Sequence, residues 1–72
     1  MNQELISFGL KIRQLRTARG LSQEQLGQQA DLDRTYISGI ERGVRNLSLL
    51  NLFRLAKALG VSPSVFFEEG SE

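Results

Sequence analysis

Along this chain apolar residues return every three or four positions and are broken at intervals by glycine and small capping residues. That rhythm predicts five helices, and no run alternates as a half-buried strand would. The first helix spans about Gln3 to Arg19, with Leu5, Phe8, Ile12 and Leu15 on one face and Gly20 as its stop. Ser22 caps the second, Gln25 completes a capping box, and Leu21 with Leu26 forms a hydrophobic staple, so this helix runs to about Ala30. Asp31 and Leu32 make a turn. Asp33 caps the third helix, which turns Ile37 and Ile40 inward and closes by Gly43. Ser48 caps the fourth, where Leu49, Leu52, Ala56 and Leu59 are expected to form the buried stripe before Gly60 ends it. Ser62-Pro63 opens a last short helix carrying Phe66 and Phe67, and residues 68–72 are expected to fray. No linker or repeat interrupts the pattern, so residues 1–72 read as one all-α domain.

Composition narrows the chemistry. A domain of 72 residues buries only about 60% of the surface that its unfolded chain exposes, and its stability is correspondingly thin. With no cysteine there is no disulfide to support it, and with no histidine the commonest metal ligand is missing too. Oligomerisation is the remaining common support. Acidic residues stand singly at caps and helix ends, and Asp31 and Asp33 are occupied by turn and cap duties. No pair suggests acid–base catalysis, and neither a catalytic residue, a metal site nor a cofactor is expected. The N-terminus lacks the basic-then-apolar order of a signal peptide, and no segment approaches the roughly 20 apolar residues of a membrane span. A cytoplasmic location is the expectation.

Net charge is only +1, but its distribution is uneven. Seven basic residues against five acidic ones fall between Met1 and Arg45, which suits nucleic acid on that side. The second and third helices with their tight turn form a helix-turn-helix over about residues 23–42. At 100° per residue, Ile37 and Ile40 place Arg34, Thr35, Ser38, Gly39 and Arg42 on the outer side of the third helix. Hydrogen-bonding and small residues there allow entry into a major groove. Gly39 stands out, because an unforced glycine inside a helix costs about 1 kcal/mol relative to alanine. Close approach to DNA, or to another element, would explain it.

The stretches Leu21–Leu26 and Tyr36–Gly43 resemble the Cro/C1-type helix-turn-helix family. Within it, Leu32–Arg42 followed by Arg45-Asn46-Leu47 is similar to the controller proteins of restriction–modification systems. The resemblance implies a compact five-helix lambda-repressor-like DNA-binding domain and the following roles. Gln23 would contact a phosphate and buttress the recognition helix. Arg34 and Thr35 would reach bases, Arg34 having the fork that matches guanine O6 and N7. Tyr36 and Ser38 would meet backbone or thymine methyl groups, and Arg42, Arg45 and Asn46 would hold phosphates. Arg16 and Glu41 match positions that pair, which implies an ion pair between the first and third helices. Two residues depart from the family pattern: Asp31 stands where the turn usually has glycine, and Gly27 where the second helix usually has alanine.

Apolar residues beyond the need of one core, namely Leu50, Phe53, Val65 and Phe67, predict a dimer interface within about residues 47–69. A two-fold dimer would set two recognition helices about 34 Å apart, one DNA turn, on a pseudo-palindromic operator. The expected function is sequence-specific transcriptional control of the protein's own gene and an adjacent endonuclease gene. A phage-type repressor, an antitoxin, or a protein-interaction module that has lost DNA binding are the alternatives, although the last would have no use for the outer face of the third helix.

Overall fold

Each helix begins where a side chain can satisfy the N–H groups that the first turn leaves unpaired. In the computed structural model, which describes residues 2–68, Asn2 caps α1 (Gln3–Ala18) by accepting from the N–H groups of Glu4 and Leu5. Ser22 caps α2 (Gln23–Ala30), and the box is complete: Ser22 accepts from the Gln25 N–H at 3.0 Å while the Gln25 side chain accepts from the Ser22 N–H at 2.8 Å. Asp33 caps α3 (Arg34–Glu41) and Ser48 caps α4 (Leu49–Leu59). Gly20, Gly43 and Gly60 follow the helices with positive φ, where a Cβ is disfavoured. Asp31, between α2 and α3, takes the same left-handed geometry at φ 60° without being glycine. Its short polar side chain makes that less costly than for most residues.

After α4 the chain forms a 3-10 helix, Pro63–Phe67, in place of the expected fifth α-helix. The bonds from the Val65 N–H to the Ser62 carbonyl and from the Glu68 N–H to the Val65 carbonyl are of the i to i+3 kind. Five residues beginning at proline are too few to propagate an α-helix, and burial of one ring, Phe66, holds the turn. The fraying expected at the C-terminus concerns, beyond Glu68, residues outside those described.

Phe8, Ile12, Leu26, Ala30, Ile37, Ile40, Leu55, Ala56, Leu59 and Phe66 form the core. The rings of Phe8 and Phe66 meet edge to face, centroids 5.1 Å apart, and pin the 3-10 helix to α1. The buried stripe of α4 differs from the expected one: Leu49 is 67% exposed, whereas Leu55 is fully buried. Leu47, just before the cap, already covers that end of the core, so the first residue of α4 projects past it. Leu52, Leu55, Ala56 and Leu59 then keep the helical spacing along the buried side.

Helix α1 lies flush on the end of α3. A Cβ built on Gly9 would stand 2.8 Å from the Glu41 carbonyl oxygen and closer still to that of Ile40. Both obstacles are backbone atoms and cannot swing aside. Gly9→Ala is therefore expected to lower unfolding free energy by about 1–3 kcal/mol in urea titrations, as overpacking does. An unchanged midpoint would show that α1 and α3 can part freely.

Candidate nucleic-acid interface

On α3, burial of Ile37 and Ile40 leaves Arg34, Thr35 and Arg42 exposed and Ser38 half-buried. These four polar residues line one shallow depression running along the helix. Its N-terminal end is fixed by Asp33, which accepts from the Thr35 backbone N–H at 2.9 Å and also from the Thr35 hydroxyl. Those bonds, the hydroxyl's first, hold the Asp33 carboxyl below the usual aspartate range. The cap therefore stabilises α3 above the carboxyl's unfolded pKa and is lost as pH falls through the lower folded value.

The other end of α3 is tied to α1 and α2. Arg16 donates to Glu41 through Nε at 2.6 Å and through Nη2 at 3.0 Å, a bidentate pair whose side chains are 12% and 4% exposed. Arg16 Nη1 donates to the Leu21 carbonyl at 2.8 Å, and Gln23 Nε2 donates to Glu41 at 3.0 Å. One carboxylate thus gathers the start of α2 and the last turns of α1 and α3. Its hydrogen bonds raise the proton affinity of Arg16, so the guanidinium stays charged at every working pH. Gln23 keeps a second amide N–H beyond the one that Glu41 takes.

Arg45 and Asn46, in the loop after α3, are exposed, and the Arg45 side chain folds back over α3. Its aliphatic stem lies over Gly39, where a Cβ would come within 2.5 Å of the Arg45 Cγ. Its guanidinium carbon sits 5.7 Å above the centroid of the Tyr36 ring. The other element anticipated at Gly39 is therefore an arginine side chain from the neighbouring loop. Composition offered no pointer to Asn51, whose amide reaches the Tyr36 hydroxyl at 3.1 Å, or to Arg19, which donates to the Leu59 carbonyl at 2.5 Å. Gly9 did carry a signal, being a glycine in the middle of a long helix.

On the far side of α4, Leu50 is 59% and Phe53 48% exposed, with Leu49 beside them. Phe67, 68% exposed, stands on the 3-10 helix, which packs on α1 and α4, while Val65 is half-buried. No helix among the described residues is long and apolar enough to cross a membrane.

The HTH_3 family model, described as helix-turn-helix, matches residues 12–66. The chain belongs to this helix-turn-helix family. Control protein C.BamHI of Bacillus amyloliquefaciens is 52% identical over 63 residues, covering 86% of this chain and 78% of the relative. The crystal structure of the restriction-modification controller C.AhdI from Aeromonas hydrophila superimposes with a TM-score of 0.90 at 50% identity, covering 92% of this chain and 100% of that one. The controller C.Esp1396I, solved as a tetramer in complex with its natural 35 base-pair operator, matches with a TM-score of 0.85 at 43% identity over 93% of this chain and 88% of that one. The controller likeness of Leu32–Arg42 and Arg45–Leu47 thus extends over 86–93% of the chain.

Proposed function

We propose that this protein is a sequence-specific transcriptional regulator, the controller of a restriction–modification system, acting as a symmetric dimer on its own promoter and that of the neighbouring endonuclease. The observation that carries this reading is the depression on α3, lined by Arg34, Thr35, Ser38 and Arg42 and backed by the apolar core. In this reading Arg34 and Thr35, at the start of that helix, reach base edges. Ser38 lies on the same face one turn on, while Tyr36 stands on the flank of α3 where Arg45 packs. Gln23, Arg42, Arg45 and Asn46 supply phosphate contacts that set register without reading sequence. Leu50, Phe53 and Phe67, with Val65 at the edge, form the dimer face. Relatives solved or named as controllers of such systems support the assignment.

The test is a gel shift on the DNA upstream of the gene, near physiological salt and with excess non-specific competitor. A retained complex is expected. Arg34→Ala should weaken it by about 1–3 kcal/mol and relax preference at one base pair of each half-site. Arg42→Ala should weaken all sequences alike and reduce the slope of log K against log salt by about 0.9. Binding abolished by the competitor would leave only phosphate attraction and sink the reading.

A further inference from the structure

Asn51 occupies the third position of α4, where the equivalent residue of α2, Gln25, folds back to complete its capping box. Asn51 does not do this. Its backbone N–H is held by the Ser48 hydroxyl at 3.1 Å, and its side chain turns away from the cap toward α3. There Nδ2 donates to the Tyr36 hydroxyl at 3.1 Å, while Arg54 Nη1 lies 3.5 Å from Oδ1. The cation on the Oδ1 side fixes which way the amide faces. Since Tyr36 Oη accepts from Asn51, its own proton is directed elsewhere, to the Asn46 carbonyl at a long 3.4 Å. The hydrogen bonds therefore run one way, from α4 through the Tyr36 hydroxyl to the loop that carries Arg45 and Asn46.

Tyr36 and Gly39, one helical turn apart, together make a seat for Arg45: a ring face under the guanidinium and a missing Cβ under the stem. An exposed arginine that is already held in place loses less freedom when it meets a phosphate, a saving of about three- to tenfold in affinity per ordered side chain. We propose that Asn51, acting through Tyr36, and Gly39 are positioning residues for Arg45, and that α4 thereby sets the phosphate contact made beside the recognition helix. The inference rests on the DNA-reading assignment above and adds two residues that touch no base in it.

The experiment measures operator affinity and its salt slope for Asn51→Leu and Gly39→Ala, each in the unaltered protein and in an Arg45→Ala background. Thermal melting and sedimentation of every variant accompany it. In the unaltered protein each substitution should weaken binding about three- to tenfold, while in the Arg45→Ala background neither should weaken it further. Gly39→Ala is the sharper of the two, because only a flexible side chain obstructs the new methyl and alanine is the better helix former. Its melting temperature should hold or rise while its affinity falls, a combination that loss of structure does not produce. Equal losses in both backgrounds, or no loss in either, would overturn the inference while leaving the regulator reading intact. If the unaltered protein shows no operator preference, the regulator reading falls and takes this inference with it.

Discussion

Glu41→Ala is expected to remove about 3 kcal/mol of stability in denaturant titrations, the low end of what breaking a buried ion pair costs. The loss is large because the substitution strands Arg16, whose side chain is only 12% exposed, and also takes the acceptor from Gln23. Against a total of about 4–11 kcal/mol for a domain of this length, that is a substantial share. A shape-matched replacement of both partners, Arg16→Met with Glu41→Leu, should recover most of the stability, since two buried charges are then exchanged for apolar contact. It should not recover operator affinity, because Gln23 would no longer be oriented toward a phosphate. An alkaline pH scan would not show the pair at work. Arg16 has its proton affinity raised in the folded state, so its contribution is complete at every pH below the guanidinium's unfolded pKa and fades only above it. A loss below about 0.5 kcal/mol for Glu41→Ala, the size of an ordinary surface change, would show that the three helices are held by apolar packing alone.

Phe53→Asp should turn the protein into a monomer in sedimentation experiments and weaken operator binding by about 100-fold or more, the advantage two linked half-site readers have over one. The variant should keep its helical content, since Phe53 is 48% exposed and lies outside the core. Its melting temperature should fall only by what dimerisation contributes and cease to depend on protein concentration. The separation of these two readouts is the point of the experiment. A core residue would unfold the domain and lose DNA together with everything else, whereas an interface residue loses only the second copy. Persistence of the dimer would move the interface away from the outer side of α4. Leu50→Glu, one turn away on the same helix, is the companion substitution.

Helix starts and stops were legible from the sequence because the interactions that set them are local. Ser22 and Gln25 satisfy each other across three residues, Ser48 holds the N–H of Asn51, and glycines at positive φ close the helices. The outer face of α3 was legible too, since Ile37 and Ile40 fix its phase and the remaining polar positions follow at 100° per residue. Even Asp31, a departure from the family pattern, could be read as a left-handed turn residue from its own side-chain chemistry.

Contacts between elements were not legible in the same way. The error at Leu49 arose because spacing gives the phase of a helix but not where along its length the core ends, and Leu47 had taken that place. The last segment shows the same limit, for its capping residue and proline mark a start without saying that five residues close as a 3-10 turn over Phe8. Arg16 and Glu41 are 25 positions apart, and only resemblance suggested that they meet; that Gln23 joins them depends on where α2 begins relative to the end of α3. The seat of Arg45 is beyond any sequence pattern, since Arg45 and Asn51 reach the turn of Tyr36 and Gly39 only once the loop after α3 and the start of α4 fold back on it. The sequence by itself determined the helices and the face that α3 turns outward, because caps, turns and helical phase act over four residues or fewer. The tertiary structure decided which charges are shared and which arginine is held still, because those follow from the crossing of helices distant along the chain.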